Sequence, residues 1–141
     1  MRRAAALLAL TVALGGCGGD DTASPEEVVR SWSEALNADD NDGAADLFAS
    51  GAEVVQAGMS YRLSRHDEAV RWNAGLPCNG QILELEVDED EVTAVFVLSD
   101  SKTTPCDAPG AKATAIFTVR DGKIVRWEQL SSEAPAPGDV V

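Results

Sequence analysis

The chain has 141 residues and a formal net charge of −13, from 11 lysines and arginines against 24 aspartates and glutamates. A surface this acidic argues against nucleic acid and anionic lipid as partners, because both would repel it. The length suits one domain with a single core once the N-terminal leader is set aside.

Arg2 and Arg3 precede an apolar run from Ala4 to Leu14, which ends in Leu14, Gly15, Gly16 and Cys17. As a helix the run covers about 16 Å, roughly half a hydrocarbon core, so it is too short for a permanent span. A basic n-region, an apolar h-region and a small-residue cleavage site predict a signal peptide over residues 1–16. A leucine three residues before a cysteine, with two glycines between, resembles the bacterial lipobox. That resemblance implies a lipoprotein whose Cys17 carries lipid, anchored on the extracytoplasmic side of the cell membrane. An ordinary secretory signal with a cysteine near its cleavage site is the alternative. Residues 17–24 lack apolar periodicity and read as a tether, which places function after it.

With lipid on Cys17, the remaining cysteines, Cys78 and Cys106, form an even pair in an oxidising compartment, and a disulfide is the first reading. Metal binding is its rival. The spacing is far from the paired Cys-x-x-Cys of zinc sites, and there is only one histidine to help. No metal or cofactor is expected.

Ser24, Pro25 and Glu27 form a capping box with proline at the first helical position, and Val28, Trp32, Ala35 and Leu36 share one face. They predict a helix from Pro25 to Asn37. The cluster Asp39, Asp40, Asn41, Asp42, Gly43 breaks it. Read as a calcium loop with Gly43 at position six, the cluster puts Ala38 and Ala49 where carboxylates are required, so that reading fails. Asp42 is instead expected to cap a short helix holding Ala44, Ala45, Leu47 and Phe48. A short strand from Glu53 to Gln56, a turn at Gly58 and a second strand through Tyr61 follow. Ser64 is expected to cap a third helix with Asp67 and Glu68 in its first turn and Trp72 near its end, stopped by Pro77.

From Gln81 the period becomes two, with Leu83, Leu85 and Val87 alternating against Glu84, Glu86 and Asp88. Strands from Glu91 to Ser99, Ala111 to Arg120 and Lys123 to Leu130 complete the series, the last two joined by Asp121-Gly122. Residues 131–141, with Pro135 and Pro137, are expected to form a disordered tail.

The order helix, helix, strand pair, helix and four-strand meander resembles the nuclear transport factor 2-like superfamily and, within it, the SnoaL-like domains. The resemblance is carried by Asn37-Ala38-Asp39-Asp40 before Ala44-Ala45-Asp46-Leu47-Phe48-Ala49, by the third helix ending in Trp72, and by Asp121-Gly122-Lys123-Ile124-Val125-Arg126. It spans residues 25–130 and implies an α+β fold in which a curved mixed sheet wraps three helices of the N-terminal half as a cone. The hairpin so implied brings Cys78 and Cys106 together, where a bond closing a loop of that length would contribute about 3.5 kcal/mol.

Relatives include isomerases, cyclases, dehydratases and proteins that merely bind, so function rests on the site. An isomerase or cyclase needs a base inside the cone and a donor to hold an enolate oxygen. His66 and Tyr61 are the only histidine and tyrosine, and they are the catalytic candidates. The first helix offers no tyrosine, so the isomerase pattern is not matched. Trp32, Phe48, Tyr61, Trp72, Phe96, Phe117 and Trp127 are candidates to line an apolar pocket, or simply to build the core. The other sheet face carries Thr93, Val95 and Val97 opposite Thr114, Ile116 and Thr118, a surface through which a homodimer would form. Three readings follow: a noncatalytic lipoprotein binding a small apolar ligand or an envelope partner, a SnoaL-like isomerase, cyclase or hydratase using His66 and Tyr61, and a structural or accessory envelope protein.

Overall fold

In the computed structural model the described residues are 22–130. The leader, Cys17, most of the tether and the tail after Leu130 lie outside them. Helix α1 (Pro25–Asn37) begins where Ser24 Oγ accepts from the Glu27 N–H and Glu27 Oε2 accepts from the Ser24 N–H, closing the expected capping box. Its buried face is Val28, Val29, Trp32 and Leu36. Helix α2 (Asn41–Asp46) is capped by Asp40, whose Oδ1 accepts from the Gly43 N–H, and not by Asp42, which lies within its first turn.

Phe48 is not helical. It opens β1 (Phe48–Gln56), and Ile124 donates to the Leu47 carbonyl at 2.8 Å, so parallel pairing with a distant strand overrides the local helical pattern. A register break between Phe48 and Glu53 lets β1 start earlier than its sequence suggests. Strand β2 (Met59–Leu63) returns through Ala57 and Gly58, both at positive φ as a two-residue hairpin of matching twist demands. Helix α3 (His66–Ala74) has Arg65 at its N-cap, and Ser64 is not the cap. The Glu68 carboxylate takes that part, accepting from the N–H groups of Ser64 and Arg65 at 2.7 and 3.3 Å.

Strands β3 (Asn79–Asp88), β4 (Glu91–Ser99), β5 (Lys112–Arg120) and β6 (Lys123–Gln129) form the meander. The register slips between Ile82 and Glu84, so Leu83 occupies a bulge and is 51% exposed, while Ile82 and Leu85 pack on the core. The expected alternation of Leu83 with Leu85 therefore breaks at a point where the neighbouring strand, not the local sequence, decides the phase.

The sheet order is β2-β1-β6-β5-β4-β3, antiparallel except for β1 against β6. This mixed six-stranded sheet wraps the three helices as a cone. Val92, Ala94 and Phe96 of β4 and Ala113, Ala115, Phe117 and Val119 of β5 face inward and are buried. Thr93, Val95, Val97, Thr114, Ile116 and Thr118 face outward and are half-buried, with Val95 opposite Thr114 and Thr93 opposite Ile116. Trp32 lies edge-on to Phe117 at 5.2 Å and Trp72 edge-on to Trp127 at 4.8 Å. Among the described residues the buried indole N–H groups of Trp72 and Trp127 have no hydrogen-bond partner, and the two rings stand edge-on to each other, Trp72 also to Phe48 and Trp127 also to Phe117. Among the described residues no helix is long and apolar enough to cross a membrane.

Candidate functional site

The C-terminal ends of β1, β4 and β6 meet the start of β3 at one end of the cone, and a cavity of about 200 Å³ opens there. Trp32 and Leu36 of α1, Phe96 and Leu98 of β4, Trp127 of β6 and Leu76 after α3 form its apolar wall. Two buried contacts fix that wall. The Trp32 indole donates to Asn73 Oδ1 at 2.9 Å, and the Asn73 amide donates to the Ala69 carbonyl at 2.8 Å, which locks α1 to α3. Asn37 donates to the Gly80 carbonyl at 2.9 Å, and a Cβ at Gly80 would lie 3.2 Å from Phe96 Cβ, so a larger residue there would press on Phe96 and glycine eases the close approach of β3.

The polar groups of this cavity are mostly neutral. Gln56 donates through Nε2 to Gln129 Oε1 at 3.0 Å, which leaves the Gln56 carbonyl oxygen and the Gln129 amide hydrogens with capacity for a further partner. Ser33 and Asn79 also border it, and among the described residues Asp107 is the one charged residue in the lining. Asp107 is exposed at the rim.

A disulfide between Cys78 and Cys106 closes that rim, with Cα atoms 4.7 Å apart, and ties the segment before β3 to the loop between β4 and β5. The Asp100 carboxylate holds the loop by accepting from the Cys106 N–H at 2.7 Å. Asp107 lies close to the two cysteines, but sulfurs bonded to each other offer no thiolate to a metal.

At the other end of the cone a second cavity, about 260 Å³, is bordered by Phe48, Ser50 and Leu63 with Asp46, Arg65, His66 and Lys123. His66 Nε2 lies 2.8 Å from Asp46 Oδ1, Lys123 Nζ donates to the Asp46 carbonyl, and Ser50 Oγ donates to the Ser64 carbonyl at 3.0 Å. Arg65 is drawn to Asp67 and Glu68 at 3.2 and 3.5 Å. These groups are exposed and engaged with one another.

The structure does not bring His66 and Tyr61 together as a catalytic pair. Tyr61 stands 47% exposed on the edge strand β2, its hydroxyl against Met59 Sδ at 3.5 Å, and it borders neither cavity. Of the aromatic candidates, Trp32, Phe96 and Trp127 line the first cavity and Phe48 the second, whereas Phe117 and Trp72 border neither and pack with the other rings. The sequence reading missed Gln56, Gln129 and Asn79. A period of two counted from inward Val54 and inward Trp127 would have turned both glutamines inward.

The clearest shifts in protonation lie away from both cavities. On the outer sheet face the Ser60 hydroxyl, donating at 2.7 Å, lowers the Glu53 carboxyl below the usual range, with Arg126 and Arg62 adding to it against the cost of burial. Glu128, 2.5 Å from Arg126, raises that guanidinium further.

The sequence profile of the SnoaL-like domain matches residues 29–127. No curated protein sequence matches the chain. Among solved structures, a Sinorhizobium meliloti protein provisionally assigned as a polyketide cyclase is similar at 24% identity, over 73% of this chain and 93% of that one, with a TM-score of 0.59. A Kribbella flavida protein provisionally assigned as a ketosteroid isomerase is 21% identical over 86% and 90%, at 0.61. A Cytophaga hutchinsonii NTF2-like protein of unknown function is 9% identical over 79% and 93%, at 0.65.

Proposed function

The chain belongs to the SnoaL-like domain family, and from that premise we propose that it is an exported, lipid-anchored binding protein whose aromatic cavity takes a small, largely apolar ligand without transforming it. The observation that carries this reading is the lining itself. Aromatic and aliphatic walls border a pair of carboxamides with spare bonding capacity, and among the described residues the one titratable side chain of the lining, Asp107, stands at the rim in solvent. General acid–base chemistry on a carbon acid needs a base within hydrogen-bond reach of the bound substrate.

Size supports the same reading. A 150 Å³ apolar cavity holds one benzene, so about 200 Å³ suits a ligand of roughly eight to ten non-hydrogen atoms. A carboxamide or hydroxyl end would match the Gln56–Gln129 pair, with the apolar body against Trp32 and Trp127.

Anchoring at Cys17 is supported by the leader and by the disulfide, which suits an oxidising compartment. Intact mass tests it: a mature chain beginning at Cys17 with added acyl mass agrees, and an unmodified Cys17 contradicts it. The outward β-branched face of β4 and β5 is the surface on which a homodimer would form.

Native mass spectrometry of protein purified from its own membrane tests the binding reading. A bound small molecule is expected in the wild type and in His66→Ala with Tyr61→Phe, and is expected to be lost in Ala113→Leu, which fills the cavity from a buried wall position. An enzymatic turnover abolished by His66→Ala would favour an isomerase, cyclase or hydratase instead.

A further inference from the structure

We propose that the short link between Cys17 and the domain dictates which end of the cone faces the bilayer, turning the aromatic cavity's mouth away from it, so that the ligand arrives from the aqueous phase. The inference rests on lipid at Cys17.

The chain joins the domain beside the β5–β6 turn. A Cβ placed on Gly122 would lie 3.0 Å from the Thr22 methyl, and Ser24 immediately caps α1. That turn belongs to the end of the cone where Lys123, Asp46 and His66 border the second cavity. Strand β6 then runs away from it, from Lys123 to Gln129, and Gln129 lines the aromatic cavity. Met59, opposite Gln56, and Leu98, opposite Gly80, mark the same far end.

Two lengths decide the orientation. Gly122 to Gln129 is seven residues of strand, about 23 Å at the usual rise. Cys17 to Thr22 is five residues, which reach at most about 18 Å however they are arranged. For the aromatic mouth to face the bilayer, the domain would have to invert, and the link would have to run back along at least the length of β6. It is too short to do so. Upright, the mouth points into solvent; lying on its side, the domain opens it parallel to the surface.

Two consequences follow for this site. The ligand is a solute of the aqueous compartment or is handed over by a soluble donor, and it is not a lipid drawn from the membrane that holds Cys17. The surface turned to the headgroups is the β5–β6 turn with the second cavity, including Arg65, His66 and Lys123.

The test uses the full lipidated chain in phosphatidylcholine vesicles carrying a nitroxide on a fraction of the headgroups. A bimane is attached at Met59→Cys or at Asp121→Cys, both exposed positions, under non-reducing conditions that keep Cys78 and Cys106 bonded. Quenching is expected to be several-fold stronger at position 121 than at position 59. Inserting about twenty Gly and Ser residues between Asp21 and Thr22, with an r.m.s. span near 25 Å, is expected to remove most of that contrast. Equal quenching at the two positions, stronger quenching at 59, or a contrast that survives the insertion overturns the proposal while leaving the anchor intact. A wild-type chain that fails to float with the vesicles overturns the anchor and the orientation together.

Discussion

Strands β5 and β6 run between two cavities of similar volume, one walled by Trp32, Phe96 and Trp127 and the other bordered by Asp46, Arg65, His66 and Lys123. The charged end is rich in groups that chemists look for, yet Asp46 already engages His66 and Lys123, and Arg65 leans on Asp67 and Glu68. The aromatic end has, among the described residues, only Asp107 as a titratable group in its lining, yet its Gln56–Gln129 pair keeps spare donors and an acceptor in the same lining as the apolar walls. Chemical variety in side chains is therefore a poorer guide to a binding site than unspent bonding capacity beside an apolar cavity.

If the aromatic end is the built site, disrupting its frame should cost far more than disrupting the ionic end. The largest effect is expected from Cys78→Ala with Cys106→Ala, which removes a bond of sequence separation 28 and is worth about 3.5 kcal/mol in chemical denaturation. The same variant should weaken ligand retention, because the loop it frees forms the cavity rim. Asn73→Ala comes next. It leaves the buried Trp32 indole N–H without its acceptor, at about 1–3 kcal/mol, read by urea unfolding and by the tryptophan emission of the native state.

His66→Ala should change stability by less than about 1 kcal/mol, since the side chains of His66 and Asp46 are 52% and 69% exposed. A loss as large as that of Asn73→Ala would mean the two ends are built alike. The smallest expected effect belongs to neither end. Because Glu53 titrates in the folded state below its ordinary 4.5, it contributes stability above that value and loses it as pH falls through the lowered one. Glu53→Gln should therefore flatten the acid limb of a stability–pH profile and leave the profile near neutrality without a new slope.

Local chemistry made α1 legible to the residue, because Ser24, Pro25 and Glu27 hold the whole start signal within four positions. The junction of α2 with β1 was not legible. Phe48 follows Ala44 and Ala45 at helical spacing, and only its parallel partner Ile124 makes it a strand residue. The bulge at Leu83 was hidden for the same reason, since its cause is the register with Val95 and Phe96 across the sheet. The cysteine pair was legible because the hairpin implied by the family resemblance puts Cys78 and Cys106 at the same end of neighbouring strands.

At the site, rarity misled. Tyr61 and His66 drew attention as single occurrences, but scarcity of a residue type carries no information about where its side chain points. Trp32, Phe96 and Trp127 were visible as inward aromatics, whereas the Gln56–Gln129 pair needed the knowledge that β1 and β6, far apart in sequence, lie side by side.

Titration of the isotope-labelled mature chain with benzamide, a ring carrying a carboxamide and close to the size the cavity admits, tests the binding site most directly by nuclear magnetic resonance. Saturable shifts are expected at the indole N–H groups of Trp32 and Trp127 and at the side-chain amides of Gln56 and Gln129, with the His66 ring unmoved. Saturable shifts at His66 with those four groups silent would contradict the account.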